Sequence, residues 1–199
     1  MVNYSEIFNA QGMDYQTYRA LVDQLLLEGK STSEASYDLH YTKMNVQRMN
    51  RVDKTVSLSE ALSSTIDHLK DKYKFLIITE GWCGDAAQII PVFNKIAVAS
   101  LGKINLRFVL RDKNLPLIDA HLTNGGRAIP VLIILNEAAD QVLATWAPRP
   151  QILQELLKEW RKETDEMTVL AEKLHGWYAK DKTQHTQAEL DLILTKLGH

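Results

Sequence analysis

The chain has 199 residues, with 23 Lys and Arg against 25 Asp and Glu and a 45% hydrophobic content. That length suits one full core plus an appended region, short of two ordinary domains. A net charge of -2 gives no electrostatic drive toward nucleic acid or an anionic membrane. No run approaches the roughly 18 apolar residues of a membrane span, and the N-terminus has neither the basic nor the apolar region of a secretory signal. Cys83 is the single cysteine, so no intramolecular disulfide forms, and a reducing, cytoplasmic setting is the expectation.

In chain order, Tyr15, Tyr18, Val22, Leu25 and Leu26 share one face of a predicted helix over residues 14–28, closed by Gly29. "KSTSE" reads as a turn, with Ser33 as the cap of a second helix to about residue 50, whose stripe is mixed (Tyr37, Tyr41 and Met44 beside Leu39, Val46 and Met49). Lys43, Arg48, Arg51 and Lys54 make a basic cluster on it, read as a solvated face. "SLSE" reads as a capping box, Ser57 at the N-cap and Glu60 three residues on. Leu58, Leu62, Ile66 and Leu69 follow as a helical stripe.

"KFLIIT" is a continuous apolar run, the mark of a strand covered on both faces. A helix carrying Ile89, Phe93, Ile96, Ala97 and Ser100 comes next, then the strand "INLRFVL", the short helix "LPLIDAHL" and the loop "TNGGR". "VLIIL" and "QVLATW" form a final hairpin, and a helix from about Pro150 carries Ile152, Leu156, Leu157 and Trp160. The order α-β-α-β-α-β-β-α over residues 57–165 predicts an α/β fold. Its sheet starts parallel, ends in an antiparallel edge and has helices on both faces. Residues 166–199 read as further helix, with Leu190, Ile193, Leu194 and Leu197 on one side. The expected division is a helical extension at 1–54, a core domain at 55–165 and a helical extension at 166–199 that packs on it.

"LIITEGWCGDAAQIIPVF" places Cys83 just past a buried strand, at the first turn of a helix. Free N–H groups and the helix dipole there favour an anion and lower a thiol pKa. Asp85 opposes this, because a nearby carboxylate raises it. The six histidines show no spacing that suits zinc, so no metal is expected. "NGGRAIP" leads into a strand rather than a helix, so it is no phosphate loop. Its Gly-Gly reads as a plain turn.

Residues 57–165 resemble thioredoxin-fold proteins. "WCGDA" lies where that family has its Trp-Cys-Gly-Pro-Cys turn, Pro91 where it has a helix proline, and "RAIPVLIIL" where it has a cis-proline. "TEGWCGDAAQ", "LTNGGRAIP" and "WAPRP" are similar to a bacterial thioredoxin-like subgroup. The resemblance implies a cis Ile129–Pro130 bond and a groove formed by Trp82, Gly84, Asp85, Ala86, Ile129 and Pro130 around Cys83. An extended client segment would pair beside the proline. Arg127 and Arg149 are candidates for stabilising a thiolate or gripping an anionic thiol.

Two departures exclude a dithiol reductase. Ala86 stands in place of the second cysteine, and Ile77 in place of the buried acid that serves it. Glu80 stands where a peroxiredoxin-type site needs threonine. Cys83 therefore has three readings: a monothiol nucleophile, a binding or sensing residue in a protein without turnover, or an inert remnant; the expectation is the first, a monothiol oxidoreductase, with the non-catalytic binding or sensing module as the alternative. The first implies a thiol or disulfide client, protein or small molecule, and glutathione or another small thiol as external reductant rather than a bound cofactor.

Overall fold

The computed structural model describes residues 2–33 and 38–198. The N-terminal part holds α1 (Tyr4–Glu6), a wider helical turn over Ile7–Gln11, α2 (Tyr15–Leu27) and α3 (Asp38–Thr55). Then come α4 (Glu60–Asp67), β1 (Tyr73–Thr79), α5 (Gly84–Ala99), β2 (Ile104–Leu110) and α6 (Leu115–Asp119). β3 (Val131–Leu135), β4 (Val142–Trp146), α7 (Gln151–Glu163), α8 (Met167–Asp181) and α9 (Gln184–Leu197) complete the chain.

The four strands form one mixed sheet in the order β2-β1-β3-β4. β1 runs parallel to β2, pairing Tyr73 with Ile104 through Thr79 with Leu110. β3 runs antiparallel to β1 and β4 antiparallel to β3, so the predicted parallel start and antiparallel edge are both present. Leu76, Ile77 and Ile78 are successive residues of β1 and all fully buried, as are all five residues of β3. Burial without alternation means both faces of the sheet are covered, which is why these strands read as unbroken apolar runs.

The helical extensions provide part of that cover. Tyr18 of α2 stacks on Phe108 of β2, ring centroids 5.2 Å apart. Met13 exchanges two backbone hydrogen bonds with Phe108, at 2.9 and 2.8 Å, and so closes part of the exposed edge of β2. α9 lies against α4. Gln187 accepts from the Ser59 N–H at 2.7 Å and donates to the Ser57 carbonyl at 3.0 Å. This grip holds residues 57–59 extended, so α4 starts later than the capping-box pattern predicts. Ser59, not Ser57, is the N-cap, accepting from the Leu62 N–H. The predicted cap role of Ser33 and the placement of Tyr37 fall on residues 34–37, outside the described residues. Ser33 itself hydrogen-bonds to Asp38 at the start of α3. No helix among the described residues is long and apolar enough to cross a membrane.

Candidate functional site

The C-terminal end of β1 delivers the chain into the turn Glu80–Cys83, closed by the Cys83 N–H donating to the Glu80 carbonyl at 3.2 Å. Cys83 is the N-cap of α5, and its Sγ accepts from the Ala86 N–H at 3.4 Å. The sulfur also faces β3, where the thiol donates to the Ile129 carbonyl at 3.3 Å. The Ile129–Pro130 peptide is cis, as is Ala147–Pro148.

Cys83 is 7% exposed and Ile129 5%. Burial first, and the Asp85 carboxylate second, push the thiol up to about 12, while the Ala86 N–H and Arg149 pull the other way. The pKa lowering expected from the helix start is therefore reversed. Removing a thiolate from water outweighs the backbone N–H groups of Ala86 and Asp85 and the helix terminus they belong to.

Asp85 is fixed on two sides. Arg149 reaches its Oδ2 with Nε at 3.2 Å and Nη2 at 2.5 Å, and the Tyr178 hydroxyl donates to its Oδ1 at 2.6 Å. The ion pair is largely buried, with side chains 17% and 11% exposed. Arg149 thus lies beside the cysteine through Asp85. Arg127 does not: it is exposed and pairs with Asp119 at 2.6 Å. The loop before it is a plain turn, Thr123 and Gly126 exchanging backbone hydrogen bonds around Gly125 at φ +78°.

On the other side of the turn, α3 and α8 press against Gly84. A Cβ there would meet His175 Cε1 at 2.8 Å and Nε2 at 2.9 Å, so only glycine fits without a shift. Burial, and then Arg48, push the His175 imidazole down to about 4, so it is neutral at pH 7. Gln88 of α5 contacts His175 Nδ1 at 3.3 Å and accepts from Arg51 Nη2 at 2.8 Å. Asn45 donates to the Gly81 carbonyl at 3.1 Å and accepts from Arg48 at 2.7 Å.

Residues 31–161 match a protein-family model described as thioredoxin. The chain belongs to the thioredoxin family. The matched region takes in α3 as well as the sheet and α4–α7. Among similar solved structures is a protein of unknown function, PA1234, from Pseudomonas aeruginosa. It is 17% identical, with a TM-score of 0.64 over 99% of each chain. An HIV epitope scaffold is 16% identical, with a TM-score of 0.63 over 97% of this chain and 98% of its own. At such identity the likeness concerns the fold alone, and that fold includes the terminal helices. A comparison with curated proteins found no match.

Within this thioredoxin fold, Ala86 and Ile129 hydrogen-bond to Cys83, Trp82 and Gly84 adjoin it in the chain, Asp85 acts on it electrostatically, and Pro130 follows Ile129 through the cis bond. Trp82 is half-buried beneath the Arg111 guanidinium, 4.8 Å from its ring centroid. Three participants escaped the sequence reading. Tyr178 and His175 come from α8, far along the chain, and nothing local marks them. Glu80 is a buried acid, 1% exposed, at the end of β1, while the expected position, Ile77, is apolar and buried. Its Oε1 accepts from the Asp112 N–H at 3.0 Å, and among the described residues no group makes a hydrogen bond of normal geometry to its Oε2, although the Thr32 hydroxyl lies near enough to lower its pKa. Burial pushes its carboxyl up to about 7. A carboxylate directly after an apolar strand run was the available signal.

Proposed function

We propose that this protein is a non-catalytic thioredoxin-fold binding module, which takes an extended partner segment at the corner between Trp82 and Pro130. The state of Cys83 carries this reading. Its thiol is buried, donates its proton to the Ile129 carbonyl and is pushed up to about 12, so at neutral pH almost no thiolate exists to attack a disulfide. With Ala86 three residues on, no second thiol would release a mixed disulfide. The binding half of the proposal rests on the corner itself. Half-buried Trp82 and Ala128 flank it, and a weak S–H donor occupies the Ile129 carbonyl that an incoming backbone N–H would take.

One observation favours a second reading, a monothiol oxidoreductase with a small thiol as external reductant. Cys83 caps α5 with the Ala86 N–H on its sulfur and Arg149 close by, both of which favour thiolate.

Iodoacetamide alkylation from about pH 4 to pH 10, with Cys83→Ser as the blank, separates the two. A binding module gives no alkylation midpoint below the free-thiol value of about 8.5, and no turnover of a small mixed disulfide with glutathione above the blank. A midpoint well below it would restore the monothiol. Selection from an extended-peptide library is expected to return binders whose affinity falls with Trp82→Ala and is not lowered by Cys83→Ala, which frees the Ile129 carbonyl. Failure to return any would remove the binding half.

A further inference from the structure

On the α3–α8 side of the Cys83 turn two arginines lie together, and among the described residues no carboxylate pairs with either. Arg48 and Arg51 lie one turn apart on α3, and a neutral amide oxygen aims each guanidinium: Asn45 Oδ1 for Arg48, Gln88 Oε1 for Arg51. Asn45 and Gln88 are themselves buried, at 0% and 4% exposure, so the two arginines are held from beneath. Among the described residues neither half-buried Arg48 nor exposed Arg51 forms an ion pair, whereas the well-buried arginines Arg19 and Arg149 take Asp53 and Asp85. The arrangement works against itself: the charge of Arg48 is opposed by lost hydration and then by Arg51.

Below Arg51 a cleft of about 400 Å³ opens between α3, α5 and the α8–α9 junction, lined by Arg51, Thr55, Gln88, Tyr178, Lys182 and Thr183 among others. Among the described residues its lining includes two cations and no carboxylate. The nearby acids are engaged elsewhere. Asp85 holds Arg149 and Tyr178, and Asp181 is turned onto the His185 ring. Lys182 and Thr183 are consecutive non-glycine residues in the left-handed region, at φ 50° and 70°. L-residues adopt that conformation at a cost, and here it brings Lys182 to the cleft rim.

We infer that this cleft is a binding site for a small molecule carrying two or more anionic oxygen groups, phosphate or carboxylate, with Arg51 and Lys182 as its charged contacts and Arg48 supporting from the turn above. A guanidinium fork and a mobile ammonium are the donors such oxyanions take, and the volume is that of a small-molecule site. A bound anion also offsets the Arg48–Arg51 repulsion. The site lies on the opposite side of α5's first turn from Ile129 and Pro130, so it stands or falls independently of the peptide corner.

The test is calorimetric titration of the full chain with sodium pyrophosphate and, separately, with sodium malonate, in buffer held at constant ionic strength with sodium chloride. Saturable one-site binding is expected from at least one probe, and which one saturates assigns phosphate or carboxylate. Arg51→Gln and Lys182→Gln are each expected to weaken it by about tenfold or more. Arg161→Gln, an exposed arginine on α7, is expected to leave it unchanged. Lys182 is exposed, so its variant keeps the fold even if Arg51→Gln loosens α3 against α5, and unfolding midpoints without ligand check both. No saturation by either probe, or equal affinity in wild type and both cleft variants, overturns the site.

Discussion

The two sides of α5's first turn handle charge in opposite ways. Toward β3, Cys83 sits among buried residues and backbone, and its thiol is held neutral although the position is one that favours anions. Toward α3 and α8, half-buried Arg48 and exposed Arg51 are held by amide oxygens rather than carboxylates among the described residues. Both sides share the same helix start. A helix N-terminus therefore sets a bias of a fraction of a kcal/mol to about 2 kcal/mol, and the groups that fill the surrounding space decide whether an anion exists there.

The largest effect is expected where the two sides meet, at the Asp85–Arg149 pair. Arg149→Ala leaves a buried carboxylate with only Tyr178 and is expected to lower stability by about 3–5 kcal/mol, read by denaturant unfolding. Asp85→Asn tests the electrostatic half of the same contrast. Without the carboxylate the Cys83 thiol should titrate below its present value of about 12, yet stay above an ordinary thiol because burial is its first cause. An alkylation midpoint that does not move would mean that Asp85 contributes nothing to silencing the thiol.

Glu80 is next in size. Its carboxyl is raised from 4.5 to about 7 by burial at the end of β1. Below pH 4.5 folded and unfolded chains both hold the proton, and the full stabilising contribution is present. As pH rises the unfolded chain releases it first, so stability is lost up to and through about 7. Glu80→Gln should remove a slope worth about 2–3 kcal/mol in total across that window. His175, depressed to about 4, acts in the opposite sense, its contribution being lost as pH falls from 6.5. The difference between wild type and variant isolates Glu80, and parallel profiles would show that its burial carries no such penalty.

A smaller effect is expected at Gly84. An alanine Cβ meets the His175 ring at 2.8 Å, and the crowding should outweigh the gain in helix propensity by about 1–2 kcal/mol. Combining it with His175→Ala should recover most of that loss, a coupling that a purely backbone effect would not show.

What was legible in the sequence follows the range of the forces involved. β1 and β3 are buried on both faces, so their apolar runs betray them locally. The Cys83 turn and Pro130 are fixed by a few adjacent residues and were found in place. Contacts made by α8 and α9 were not legible, because Tyr178 meets Asp85 and Gln187 meets Ser57 across more than ninety residues of chain. The balance at the thiol was not legible either: the helix start and Asp85 oppose each other in the sequence, and the burial that decides between them depends on the Ile129 segment, which the local pattern does not include. The N-cap of α4 was placed at Ser57 because the grip of Gln187 is invisible from either segment alone.

Arg127 provides the smallest expected effect and marks where the contrast between the two sides ends. Its sequence position beside Pro130 made it a candidate partner for the cysteine, but its guanidinium is spent on Asp119 in solvent. Exposed pairs of this kind are screened by water and salt, so their loss moves stability little. Arg127→Ala should therefore leave both the unfolding midpoint and the Cys83 alkylation profile unchanged. A shift in the alkylation profile alone would show that the Gly125–Arg127 loop folds back over the thiol in solution. The wall that keeps Cys83 neutral would then include a charged residue, and the division between a neutral β3 side and a cationic α3–α8 side would no longer hold.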